Sequence, residues 1–185
     1  ENLVQNEQKF DQINKYLFKL LEKRSLYPAA EHLALKILHE NRCSIEKNFL
    51  KQLEDYRTMK VGEIAPDINF NHNIYLKNEL QQKLPQKLSA INNRFVLLVF
   101  GASWCTKSSA ELASIARYYP TWKEQDLEVV FVSFDENKEI LKNFSSIFPF
   151  FTYCDYKKWE SPAVQSYYIY ITPAFYLLNK QREII

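Results

Sequence analysis

The spacing of apolar residues changes along this chain, and the change divides it. Over residues 7–58 they return every three or four positions, the period of helices packed on one face. Phe10, Ile13, Leu17, Leu20 and Leu21 mark a first helix. After Ser25-Leu26-Tyr27-Pro28, a second carries Leu33, Leu35, Ile37 and Leu38, with Pro28 suited to its first turn. Asn41-Arg42-Cys43-Ser44 interrupts the pattern, and Ser44 is the candidate N-cap of a third helix reaching Tyr56, with Ile45, Phe49, Leu50 and Leu53 inward. Short amphipathic helices cannot bury their faces singly, so these should pack together or on the rest of the chain.

From Val61 the pattern turns to short, continuous apolar runs, which sets a boundary between a helical extension over 1–60 and a second domain over 61–185. Residues 67–70 are a candidate strand. Residues 75–93 are polar, with an ambiguous helix over 77–84 ended by Pro85. Residues 95–100 form a buried strand, 107–119 an amphipathic helix ended by Pro120, and 127–134 a second buried strand. A helix over 136–144, an extended piece over 150–153 and a helix over 161–168 follow. Residues 175–178 and 182–185 pair as a hairpin across Asn179-Lys180-Gln181. Strand, helix, strand, helix, strand, strand describes an α/β domain with parallel crossovers and a closing antiparallel pair.

Composition narrows the functions. Hydrophobic content of 46% and charge of 25% are ordinary for a globular protein. A net charge of +2, with Lys and Arg dispersed among Asp and Glu, offers no field for nucleic acid. Two glycines exclude a glycine-rich phosphate loop. No apolar run approaches the roughly 20 residues of a membrane helix, so no transmembrane segment is expected. The chain opens at Glu1 without Met, as a mature fragment freed of its leader would. His32, His39 and His72 form neither a triad nor a metal spacing, and Cys43, Cys105 and Cys154 are neither a disulfide framework nor a zinc set. No cofactor and no metal are expected.

Cys105 carries the chemistry. Residues 95–100 run into Gly101-Ala102-Ser103, then Trp104-Cys105-Thr106-Lys107-Ser108, then the helix. A thiol at the first turn of a helix meets free backbone N–H groups and the positive end of the dipole, which lowers its pKa below the usual value of about 8.5 and favours the reactive thiolate. Lys107 adds positive charge of the same effect.

The segment resembles the Trp-Cys-x-x-Cys site of thioredoxin-like proteins. It is most similar to the TlpA/ResA-type (AhpC/TSA-related) thiol–disulfide oxidoreductases, including the multi-domain versions of Bacteroidetes. Val61-Gly62-Glu63-Ile64-Ala65-Pro66-Asp67 looks like that family's Gly-x-x-Ala-Pro-Asp start. Glu111, six residues after the cysteine, stands where the TlpA-like branch carries a glutamate. Thr172-Pro173-Ala174-Phe175-Tyr176-Leu177-Leu178 matches the stretch holding the family's cis-proline. The resemblance spans residues 61–185. It implies a thioredoxin-like three-layer α/β/α sandwich with a central mixed sheet, continuing into a C-terminal helix for which this chain has no residues. It also implies a periplasmic or envelope location.

The resemblance implies roles residue by residue. Cys105 is the attacking thiolate and Trp104 flanks it on a partner-binding face. Pro173 and Thr172 align the partner disulfide, Thr106 and Lys107 bind substrate with Thr172, and Glu111 assists proton transfer. Three departures qualify this. Ser108 stands in place of the resolving cysteine, Val99 in place of thioredoxin's buried acid, and Ala113 in place of a helix proline. Serine cannot release a mixed disulfide, so exchange would wait for an external thiol. Ser108 is either natural or an engineered replacement of cysteine. Cys154 is an alternative resolving residue or, preferably, a structural one. The expected partners are protein disulfides or thiols held as mixed disulfides, with a membrane-anchored redox partner among the options. The rival reading is a redox-inactive protein-binding module on the same fold. A peroxiredoxin is excluded, because Leu98 and Ala102 stand where its proline and hydroxyl residue would be.

Overall fold

The computed structural model describes residues 7–24, 26–39, 48–49, 53, 59–71, 73–76, 84–169 and 172–185. The chain falls into two compact units, Glu1–Lys60 and Val61–Ile185. In the first, helix α1 (Glu7–Lys23) packs on α2 (Tyr27–His39). Phe18, Ala30, Ala34, Ile37, Phe49 and Leu53 form its core, with Phe18 and Phe49 edge to face at 5.5 Å. Ile13 and Leu17, expected inward, are exposed, while Asn14 and Phe18 are buried. The inward stripe is thus centred on Phe18, with Leu21 packed against the same core as expected. The third expected helix lies outside the described residues except at 48, 49 and 53. Cys43, His72 and, save for residue 84, the ambiguous helix over 77–84 lie outside them too.

The second unit is built on a five-stranded mixed sheet of order β1-β4-β3-β2-β5. Strand β2 (Phe95–Gly101) runs parallel to β3 (Leu127–Ser133), in register from Phe95 against Leu127 to Gly101 against Ser133. Strand β4 (Phe151–Tyr153) is parallel to β3. The edge strands β1 (Ile74–Tyr75) and β5 (Ala174–Asn179) are antiparallel to their neighbours. Strand β2 is apolar throughout and β3 nearly so, because both sheet faces are covered; the exceptions in β3 are Glu128 and Ser133, both buried. On one face, Val99, Val129 and Phe131 meet Leu112, Ile115 and Tyr119 of α3 (Thr106–Glu124), and Leu141 of α4 (Lys138–Ser145) joins the same core. On the other, Tyr167, just past α5 (Pro162–Ser166), is buried with its ring 5.0 Å from that of Phe100. The three layers and mixed sheet expected from the sequence are present.

Several bounds differ. Helix α3 runs through Pro120 to Glu124 rather than ending there. Pro120 removes one backbone donor from the helix. The last turn is held instead by packing, since Trp122 lies against the core and stacks on Tyr118. Helix α4 starts at Lys138 because the Asn137 side chain caps it, accepting from Ile140 N at 3.1 Å. Residues 67–70 are not a sheet strand. Ile68 and Phe70 are buried, but their backbone pairs with 86–88, and the edge of the sheet is taken by β1.

Candidate functional site

Strand β2 ends at Gly101, and the chain turns at once into α3. The two elements approach so closely that a Cβ on Gly101 would stand 2.8 Å from the Ser108 hydroxyl oxygen and 3.0 Å from its Cβ. Glycine is required here for space. The intervening turn is closed by Cys105 N donating to Ala102 O at 3.1 Å.

Cys105 is itself the N-cap of α3, with extended backbone (φ −94°, ψ 111°). Its sulfur accepts from Ser108 N at 3.5 Å, as an N-cap oxygen would. As a thiol it donates to Thr172 O at 3.7 Å. Ser108 is fully buried, and its hydroxyl lies 2.8 Å from that of Thr172. The Thr172–Pro173 peptide bond is cis. Partial burial of the sulfur pushes its pKa up. The Ser108 hydroxyl, the N–H groups of Ser108 and Lys107 and the Thr172 hydroxyl outweigh that and hold it below the ordinary thiol value. The site therefore favours the thiolate while leaving the sulfur partly accessible.

The structure gathers Cys105, Ser108, Thr172 and Pro173 at one end of the sheet. Trp104 stands beside them, 54% exposed. Thr106 and Lys107 lie exposed on the first turn, where Lys107 contributes its backbone N–H rather than its ammonium group. Glu111 is exposed further along α3, and no hydrogen bond or ion pair among the described residues ties it to the sulfur. Val99 is completely buried among apolar neighbours.

Sequence reasoning missed Asp135, which follows β3 at the same end of the sheet and is 3% exposed. It accepts hydrogen bonds from the backbone and side chain of Ser103, two residues before Cys105. The available signal was an acid directly after the buried run ending Phe131-Val132-Ser133-Phe134. Cys154 is buried, donating its thiol to Asp135 O at 3.2 Å and accepting from Tyr156 N at 3.3 Å. Burial pushes its pKa up to about 11, against hydrogen bonds from Tyr156 and Ser133. No group of three or more His, Cys, Asp or Glu suited to a metal ion occurs among the described residues. No helix among them is long and apolar enough to cross a membrane.

Comparison with known proteins agrees with this geometry. A family model described as thioredoxin-like matches residues 92–184. Over 91 residues the chain is 31% identical to the thiol-disulfide oxidoreductase ResA of Oceanobacillus iheyensis, covering 49% of this chain and 45% of that one. Over 90 residues it is 27% identical to ResA of Bacillus cereus, covering 49% and 47%. The chain thus spans less than half the length of these relatives. A thioredoxin-like protein from Bacteroides caccae superposes with a TM-score of 0.60 at 19% identity, covering 84% of this chain and 54% of that one. The thioredoxin domain of a thiol-disulfide oxidoreductase from Bacteroides vulgatus gives 0.53 at 19%, covering 68% and 86%. At these identities the structural likeness is one of fold.

Proposed function

The chain belongs to the thioredoxin-like family, and from that premise we propose that it carries out thiol–disulfide exchange through Cys105 alone. The observation that carries the reading is the cap geometry: a partly accessible sulfur at the N-terminus of α3, bonded by Ser108 N and flanked by the Ser108 and Thr172 hydroxyls. The Cys105 thiolate attacks one sulfur of a protein disulfide. A Cys105–partner disulfide forms, and the partner's other sulfur leaves as a thiolate that takes a proton from water. Ser108 cannot attack that bond. Release needs a second thiolate, from a protein or low-mass thiol, which takes over the partner's sulfur and returns Cys105 to its starting state. Trp104 and the Thr172–Pro173 segment would border the incoming chain. The named activity of the ResA relatives supports the class of reaction. An extracytoplasmic setting fits it, because disulfides persist in oxidising compartments.

The buried Ser108–Thr172 pair favours a second reading, a binding module whose former second cysteine has become a structural contact. One experiment separates the two. The protein is mixed with a peptide disulfide, and the adduct on Cys105 is followed by mass spectrometry beside the Ser108→Cys variant. Exchange predicts an adduct that persists until thiol is added, and a variant that releases the peptide unaided by closing an internal disulfide. No adduct on either protein would overturn the exchange reading and leave the binding module.

A further inference from the structure

The turn that presents Cys105 is held from outside itself. Ala102 and Ser103 separate the end of β2 from Trp104, and within the turn the only backbone closure described is Cys105 N to Ala102 O. The remaining fixation comes from Asp135. Its Oδ1 accepts from the Ser103 hydroxyl at 2.5 Å, and its Oδ2 accepts from Ser103 N at 3.0 Å. Oδ2 also accepts from the Ser133 hydroxyl at 2.6 Å, and that same hydroxyl oxygen accepts from Asp135 N at 3.0 Å. The main chain around Asp135 is anchored in turn: its carbonyl takes the Cys154 thiol, and Phe134 N donates to Gly101 O at 2.9 Å. Three donors converge on one buried carboxylate, the arrangement in which hydrogen bonds to a charged acceptor are strongest. The carboxylate does not touch Cys105.

We infer that Asp135 is a positioning residue for Cys105, clamping Ser103 so that the sulfur is held over the first turn of α3. The inference rests on the exchange reading above, in which the thiolate is the working species. A sulfur displaced from the cap loses its bond from Ser108 N and its place beside the Ser108 and Thr172 hydroxyls, and with them its acidity. Facing the sulfur are those hydroxyls and the N–H groups of Lys107 and Ser108; the Lys107 ammonium and the Glu111 carboxylate are exposed on the same helix. The clamp therefore acts through geometry rather than through charge. Asparagine keeps the size of Asp135, but it has one acceptor oxygen where two are used.

The test is the rate of Cys105 alkylation by iodoacetamide against pH, with Cys154→Ala in the background to leave one reporting thiol among the described cysteines. Labelling is assigned to Cys105 by peptide mapping, so Cys43 does not confuse it. Asp135→Asn should move the apparent Cys105 pKa up by about half to one unit, a three- to ten-fold slower reaction at neutral pH. Ser103→Ala, which removes only the hydroxyl bond on a partly exposed residue, should move it the same way by less. Cys154→Ala alone, which removes the thiol that anchors the Asp135 carbonyl, serves as the reference profile; Leu141→Ala in that background should lower thermal stability without moving it, which marks what core damage by itself does. Profiles for Asp135→Asn and Ser103→Ala that superimpose on the background would overturn the inference. Should Asp135→Asn fail to fold, Ser103→Ala decides alone. A parent profile with an ordinary thiol pKa would instead undo the exchange reading.

Discussion

The hydroxyls of Ser108 and Thr172 stand 2.8 Å apart and join the first turn of α3 to the segment before β5. Ser108 is fully buried, so its end of this bond is closed to water. The position that a second sulfur would take has become a structural contact that also supports the thiolate. Ser108→Ala should therefore do two things. It should cost about 1 kcal/mol of stability, as expected for a part-buried hydroxyl left without its partner. It should also raise the Cys105 pKa, because the hydroxyl that helps stabilise the thiolate is gone. Chemical denaturation and a pH series of thiol labelling check the pair of effects.

Gly101→Ala tests the close packing of β2 on α3. The new methyl would stand 3.3 Å from the Phe131 ring as well as against Ser108. Either the serine rotates away from Thr172 or the helix shifts. Overpacking of this kind costs about 1–3 kcal/mol. The expected result is lower stability together with slower labelling of Cys105; lower stability with unchanged labelling would show that the helix start tolerates the displacement.

The two described thiols should leave opposite marks on the pH dependence of stability. Cys105 has its folded pKa lowered, so the native state binds fewer protons than the unfolded one between the two values. Its contribution is complete above the unfolded thiol pKa and is lost as pH falls through the folded one. Cys154 is raised, from an ordinary value of 9.0 to about 11, so its contribution is present below pH 9.0 and is lost as pH rises towards about 11. Stability curves of the parent minus Cys105→Ala, and of the parent minus Cys154→Ala, should slope in opposite directions.

Trp104→Ala should separate folding from recognition. The indole is more than half exposed, so removing it should change stability by no more than about 0.5 kcal/mol. If the ring borders a bound chain, the reaction of Cys105 with a peptide disulfide should slow by about five-fold, the worth of roughly one kcal/mol of contact. Reaction with a small linear disulfide such as 2-hydroxyethyl disulfide, whose leaving thiol is free to depart, should barely change. Equal slowing with both would assign Trp104 to the thiol itself.

The central strands and the place of Cys105 at a helix start were legible because the sequence states them locally. Residues 95–100 are an unbroken apolar run and 127–134 an apolar run broken only by Glu128 and Ser133, and Cys105 sits where the first of them turns into a helix. What was less legible depends on contacts between distant residues. Pro120 reads as a helix end, yet Trp122 packs on the core and keeps the final turn helical. Ile13 and Leu17 match the helical period as well as Asn14 and Phe18 do, and only the partner helix decides which set turns inward. Residues 67–70 have the apolar content of a strand but pair with 86–88 outside the sheet. Asp135 is one acid among 22 Asp and Glu residues until the parallel pairing of β2 and β3 sets it beside Ser103.

The bare backbone at Gly101 bears on the history of this site. No side chain projects from the strand against position 108, so the helix residue alone decides whether oxygen or sulfur fills the space. Exchange of one for the other asks nothing of the strand, only that the bond to the Thr172 hydroxyl be given up. A second sulfur can enter at such a site by one change of side chain for as long as the strand keeps its glycine. A larger residue at 101 would close that route and hold the site to a single sulfur.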